Sequence, residues 1–172
     1  PVSMHVNISA HQLKQDGFVS QVQALLAESG LSPSLLDLEI TESILLEDAE
    51  RAEQLLAVLK GLGVKIALDD FGTGFSSLSY LKRLPVDVIK IDKSFIDDIP
   101  HNARDCALVG AILELGERLG NGLIAEGVET AEQRSYLRGT GCDEVQGYLF
   151  GQPVRHDEMN VLLAYGPTLA PS

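Results

Sequence analysis

Six stretches of the chain alternate or cluster apolar residues over the length of a strand, and longer segments between them repeat apolar residues every three or four positions. The strand-like stretches are Ser3 to Ser9, Leu35 to Glu42, Val64 to Asp70, Val86 to Asp92, Gly122 to Glu126 and Glu144 to Phe150. The helical segments have recognisable ends. Leu13, Val19, Val22, Leu25 and Leu26 mark an apolar stripe between Ser9 and Ser29, and Asp48 is placed to cap a helix from Ala49 to Leu62. A helix from Ser76 to Leu84 stops at Pro85, one from Ala103 to Leu119 stops at Gly120, and Thr130 with Gln133 forms a capping box for the next. A final helix covers Asp157 to Tyr165 before Gly166 and Pro167. Strand followed by helix, repeated along the chain, predicts a parallel sheet.

The polar residues at the strand ends choose between two parallel-sheet architectures. A doubly wound sheet gathers its ligand where the strand order reverses, so only a few strands need functional ends; a closed barrel brings the C-terminal end of every strand to one mouth. Here every predicted strand carries polar residues at or near that end: Asn7, Glu39 with Glu42, Asp69 with Asp70, Lys90 with Asp92, Glu126, and Gln146. The expected fold class is therefore α/β, a (β/α)8 TIM-like barrel. Such a barrel takes about 250 residues. With 172 residues the chain holds about six βα units and is about two units short.

The segment Val64 to Gly74 carries the sharpest chemistry, because an apolar strand delivers two adjacent carboxylates into a loop containing Gly72 and Gly74. Successive strand residues point to opposite faces, so adjacent acids serve one site only where the chain turns, and glycine permits the turn. Two carboxylates held together repel each other unless a cation or a basic partner compensates. An Asp-Asp pair alone is more often a solvated acidic turn; polar ends on the other strands favour a site for a hard divalent cation.

Composition narrows the function classes. The chain is 45% hydrophobic and 22% charged, enough for one globular core, and its formal net charge is −12 with 13 dispersed basic residues. That balance argues against a nucleic-acid polymer as partner, and an anionic substrate would need metal ions to meet it. Cys106 and Cys142 lack zinc-finger or redox spacing and read as free thiols. No signal peptide or membrane span is evident, the apolar runs being far shorter than about 20 residues. The expected location is the cytoplasm, or the cytoplasmic part of a membrane-tethered protein. Gly72-Thr73-Gly74 follows a strand, but Ser77 stands where a dinucleotide loop needs a third small residue, and the preceding acids would repel pyrophosphate. His5, His11, His101 and His156 have no zinc spacing and no nucleophile-elbow serine occurs, so the histidines read as structural or exposed.

Taken in order, Val6-Asn7-Ile8-Ser9, Leu38-Glu39-Ile40-Thr41-Glu42, Asp69-Asp70-Phe71-Gly72-Thr73-Gly74, Ile89-Lys90-Ile91-Asp92, Ala125-Glu126-Gly127-Val128-Glu129 and Gln146-Gly147-Tyr148-Leu149-Phe150 resemble the serial motifs of EAL domains, the cyclic di-GMP phosphodiesterases of bacterial second-messenger signalling. The resemblance covers nearly the whole chain. It implies a partial EAL-type domain over residues 1–166 with a tail at 167–172. It also implies two Mg²⁺ or Mn²⁺ ions, ligated by Asn7, Glu39, Asp69, Asp70 and Glu126, and hydrolysis of cyclic di-GMP to linear pGpG.

By the same resemblance Lys90 contacts the attacking water, and Gln146 lines the site near water and phosphate. Glu42 and Glu129 hold the loop after the paired Asp residues, and Asp92 stands beside Lys90. That loop and the following helix imply a homodimer, and sensor or diguanylate-cyclase domains are expected outside the chain. One departure matters. The Glu-Ala-Leu signature, with its metal-ligating Glu, belongs to an earlier strand that is not in this sequence, so the chain is expected to begin at the third barrel strand and to be weak or inactive alone. The alternative expectation is a non-catalytic cyclic di-GMP receptor or a protein-interaction module.

Overall fold

The structure, a computed structural model, describes residues 2–42, 44, 49–74, 81–142 and 144–165. Its centre is a six-stranded, all-parallel sheet whose spatial order follows the chain: β1 (Met4–Asn7), β2 (Leu36–Thr41), β3 (Lys65–Phe71), β4 (Val88–Ile91), β5 (Gly122–Ala125) and β6 (Glu144–Val145). A doubly wound sheet reverses direction at a switch point, and this one never does. The order is that of a barrel progressing in one sense, here a half-barrel in which, among the described residues, β1 and β6 each pair on one side only.

Helices join the strands: α1 (Ala10–Lys14), α2 (Phe18–Ser29), α3 (Ala49–Gly61), α4 (Lys93–Ile96), α5 (Ala103–Leu119), α6 (Ala131–Gly139) and, after β6, α7 (His156–Tyr165). The single helix expected from Ser9 to Ser29 is two. Gln15 is extended and Gly17 has φ 90°, so the chain breaks there and restarts at Phe18. Ser9 and Gln12 form a capping box on α1, and Thr130 and Gln133 form the expected one on α6. The short α4 was not anticipated; Asp92 caps it, its Oδ1 accepting from Ser94 N at 3.0 Å. Asp48, residues 76–80 of the expected Ser76 to Leu84 helix, and the tail 167–172 lie outside the described residues.

The last strand is shorter than its apolar pattern predicts. It ends at Val145, because the chain beyond it wraps the loop after β5: Val128 N donates to Gln146 O at 3.0 Å and Leu149 N to Val128 O at 3.0 Å. Gly147 lies against the Val128 backbone so closely that a Cβ there would collide with it. Backbone hydrogen bonds that would have continued the ladder are thus spent on a turn ending at Phe150, whose N–H donates to Gly147 O.

The two faces of the sheet follow the period-2 rule. On the convex face Leu38, Ile40, Ile66, Leu68, Ile89 and Ile91 are buried. They pack with Phe18, Val22, Leu56 and Leu59 under α2 and α3, and with Val109, Leu113 and Leu137 under α5 and α6. Each such side chain contributes about 1.5–3 kcal/mol by leaving water. The alternate residues face the concave side, where Asp37, Glu39, Asp69 and Lys90 are buried. Among the described residues no helix is long and apolar enough to cross a membrane.

Candidate active site

Adjacent Asp69 and Asp70 reach one site through the backbone of β3 itself. The pairing with β4 shifts between Leu68 and Phe71, so that one more residue lies on β3 than on β4, a β-bulge. Asp70 has φ 54°, the left-handed region that Asp tolerates better than most residues, and it is the one non-glycine residue with positive φ among those described. The turn expected at the glycines therefore begins two residues earlier, at the second acid; Gly72, with φ 96°, continues it. Asp70 N donates to Asp69 Oδ1 at 3.1 Å, and Thr73 Oγ1 donates to Asp70 O at 2.9 Å, which fixes the corner.

Lys90 stands at the middle of the concave face. Its Nζ is 2.6 Å from Glu126 Oε1, 2.9 Å from Glu39 Oε2 and 3.1 Å from Asp69 Oδ1, so β2, β3, β4 and the residue after β5 meet at one ammonium. Burial works against this charge, yet the hydrogen bonds to Glu126 and Glu39 and the charges of Glu126 and Asp69 outweigh it, holding Lys90 above its ordinary value. Burial raises Glu126, the Lys90 hydrogen bond opposes the rise, and the charges of Asp69 and Glu39 add to it. Asp70 is raised by burial first, then by the charges of Asp69 and Asp92.

Three carboxylates thus meet one ammonium and Asp70 lies beside them, an excess of negative charge that a divalent cation would offset. Asp69, Asp70 and Glu126 each offer an oxygen within 4.8 Å of the others. An all-oxygen donor set of this kind suits hard ions such as Mg²⁺, Mn²⁺ or Ca²⁺ and not a soft metal. The residues present fit the ion class that the motifs imply.

The other expected site residues take three kinds of position. Asn7 ends β1 directly opposite Glu39 in the register and is exposed, while Gln146, also exposed, follows β6 and shares a cleft of about 610 Å³ with His5, Ile124 and Glu144. Glu42 is buried beneath the glycine loop: its Oε2 accepts from Gly72 N at 3.3 Å, and a Cβ on Gly74 would lie 3.0 Å from its Oε1. Asp92 caps α4, and Glu129, at the exposed rim, pairs with Lys93. Of the segment expected to build a dimer contact, residues 75–80 lie outside the described part of the chain.

Two contributors were not anticipated. His5 Nδ1 is 3.0 Å from Glu39 Oε1, and its Nε2 is 3.3 Å from Asp37 Oδ2. The signal was available in the alternation, since His5 and Asp37 precede Asn7 and Glu39 by two residues on neighbouring strands, and so face the same side.

Comparison with known proteins shows the family. The EAL domain family model matches residues 1–153. The chain is 45% identical over 154 residues to the bifunctional diguanylate cyclase/cyclic di-GMP phosphodiesterase MucR of Pseudomonas aeruginosa, a match covering 90% of this chain and 22% of MucR. Among solved structures, the EAL domain of Mycobacterium smegmatis DcpA superposes with TM-score 0.91 at 43% identity, covering 96% of this chain and 74% of that one. The manganese and cyclic di-GMP complex of Klebsiella pneumoniae BlrP1 superposes with TM-score 0.82 at 32% identity, covering 88% and 39%. The chain spans about a fifth of the length of the curated relatives it matches. By sequence and by fold, the chain belongs to the EAL domain family.

Proposed function

We propose that the chain carries the cation-binding and substrate-binding half-barrel of a cyclic di-GMP phosphodiesterase, part of a longer multidomain protein working in the cytoplasm. The observation that supports it most is the meeting of Glu39 from β2, Asp69 from β3 and Glu126 from the end of β5 at Lys90 of β4, with Asp70 beside Asp69 and Glu126. Asn7, Glu39, Asp69, Asp70 and Glu126 are the residues that would hold two Mg²⁺ or Mn²⁺ ions. When bound, such a pair activates water and offsets charge on both oxygens of an in-line displacement.

Every other role belongs to side chains. Lys90 stays protonated through the physiological range, so it serves as a hydrogen-bond donor and positive charge toward the water and the phosphate, not as a base. Gln146 lines a cleft that His5 also borders, and would donate its amide to phosphate or water. Glu42 holds the loop that carries Asp70, through Gly72 N. Asp92 braces the β4 exit as the cap of α4, and Glu129 anchors the far rim through Lys93. Water adds to one phosphorus and one P–O ester bond breaks, so the cyclic dinucleotide opens to pGpG. The loop after Asp70 and the segment that follows it are the proposed homodimer contact, through which sensor or diguanylate-cyclase domains of the longer protein would act.

A second reading applies to the chain by itself. Asn7, at the end of β1, and Gln146, just after β6, are exposed at the two edges of the described sheet, which favours binding of cyclic di-GMP without turnover. Incubation of the chain with cyclic di-GMP and Mg²⁺ or Mn²⁺, with products separated chromatographically and binding followed by calorimetry, decides between them. Formation of pGpG that is lost on Asp69→Asn establishes the phosphodiesterase. Retained binding without pGpG establishes the receptor reading, and absence of both overturns the assignment.

A further inference from the structure

Glu39 is held at both of its oxygens. Oε2 accepts from Lys90 at 2.9 Å, and Oε1 lies 3.0 Å from His5 Nδ1 across the β1–β2 pairing. The imidazole is steadied in turn from its other nitrogen: Asp37 Oδ2 is 3.3 Å from Nε2, and the Ser3 hydroxyl is 3.5 Å from it. Asp37 is 5% exposed, and among the described residues its second oxygen has no partner, so this buried carboxylate makes its polar side-chain contact through His5. A buried acid with one oxygen orphaned is costly to keep unless its remaining contact does something.

We propose that His5, braced by Asp37, is a positioning residue for Glu39: it fixes the rotamer that aims Oε2 at the centre of the acidic cluster and thereby sets cation affinity. The inference rests on the reading of Glu39 as a cation ligand and adds a support that none of the sequence motifs contains. Carboxylates that ligate metals are commonly held by such neighbours, whose removal weakens metal binding by about 10- to 100-fold. The partly exposed position of His5, at 38% for its side chain, puts the expected effect at the lower end of that range, about 10-fold. The arrangement is also economical in backbone terms. Because β1 and β2 are parallel and in register, one side chain two residues before Asn7 reaches both acids of β2 that face the concave side.

The test is Mn²⁺ binding by the full chain, read by the free-ion signal in electron paramagnetic resonance, which requires no catalysis. His5→Leu, which fills the space without a donor, is expected to weaken Mn²⁺ binding about 10-fold. His5→Asn, whose amide nitrogen falls near the place of Nδ1, is expected to restore most of it. His5→Gln, whose nitrogen falls near the place of Nε2, is expected to restore less. Should His5→Leu fail to fold, the Asn against Gln order still decides, since both are polar and differ mainly in where the donor stands. Equal Mn²⁺ affinity in the unaltered chain and in His5→Leu, or Gln restoring as well as Asn, overturns the positioning role while leaving the cation site intact. No Mn²⁺ binding by the unaltered chain overturns the cation reading and this inference with it.

Discussion

Toward the C-terminal ends of β2, β3 and β4, Glu39, Asp69 and Lys90 on the concave face are buried and joined to one another, whereas Asn7 at the end of β1 and Gln146 just after β6 stand exposed. Glu39 and Lys90 are 5% and 3% exposed and in contact, while Asn7 and Gln146 lie open at opposite edges of the sheet. Both groups are strand-end residues of one curved sheet, so the difference does not come from local sequence. It comes from neighbours: a central strand has a partner on each side to supply a counter-charge, and an edge strand has one. The centre of the site is therefore assembled before any ligand arrives, and the edges are completed by whatever comes to lie against them.

The most forceful way to break this contrast is Lys90→Met. Removing the ammonium leaves Glu39, Asp69 and Glu126 without their shared partner in a buried setting. Losing one member of a buried ion pair costs about 3–5 kcal/mol. Urea unfolding without added cation should show a loss of that order, and Mn²⁺ should recover part of it by replacing the missing positive charge. A loss below about 1 kcal/mol would mean that the acids do not depend on Lys90.

Gly147→Ala sharpens the comparison from the β6 side, because the polar residue there is exposed but the backbone is tightly packed. The new Cβ would collide with the Val128 nitrogen and carbonyl oxygen, which are backbone atoms and cannot rotate away. About 2 kcal/mol of destabilisation is expected, the usual scale of overpacking, together with displacement of Gln146. Thermal unfolding checks the first part and nucleotide affinity the second.

Glu42→Gln probes the loop between centre and rim. It keeps the shape but weakens the hold on Gly72 N, a charge-assisted hydrogen bond worth about 1 kcal/mol or somewhat more. Mn²⁺ affinity should fall several-fold through Asp70, with the unfolding midpoint nearly unchanged. A large stability loss with unaltered affinity would make Glu42 a core residue only.

The smallest expected effect is on pH dependence. Asp70 and Glu126 are raised above their ordinary 3.8 and 4.5, so the folded chain binds these protons more tightly than the unfolded one. Their contribution to stability is fullest below those values, declines as pH rises through them toward the folded values, and then levels off. As pH rises above these ordinary values this decline should be smaller in Asp70→Asn, and smaller in the unaltered chain once Mn²⁺ is added. Equal pH profiles for the two chains would remove Asp70 from the account.

How much of this was legible beforehand depended on how local the cause was. The order of strands and helices followed from apolar period and caps, and the residues that meet at Lys90 were identifiable because each ends its own strand in a parallel sheet. What was missed was set by contacts between distant segments. The apolar run from Val145 to Phe150 reads as a strand, and the pull of the Val128 backbone on Gln146 and Leu149 is invisible in it. Similarly the break at Gly17 sits inside an otherwise continuous apolar stripe, and helical periodicity continues across it. The corner at Asp70 was expected two residues later, since a positive φ is assigned by default to glycine and the bulge against β4 is a pairing property. His5 was set aside as an isolated histidine, although its register position opposite Asp37 makes it part of the acidic face.

The central claim is that the buried middle of the concave face is a divalent-cation site at which cyclic di-GMP is cleaved. Crystals of the chain grown with Mn²⁺ and cyclic di-GMP, measured for anomalous scattering at the manganese edge, test it most directly. The account predicts anomalous peaks between Asp69, Asp70, Glu126 and Glu39, with a phosphate of the nucleotide against them and Lys90 within hydrogen-bond reach. Nucleotide seated elsewhere, or no manganese among those four carboxylates, would contradict it.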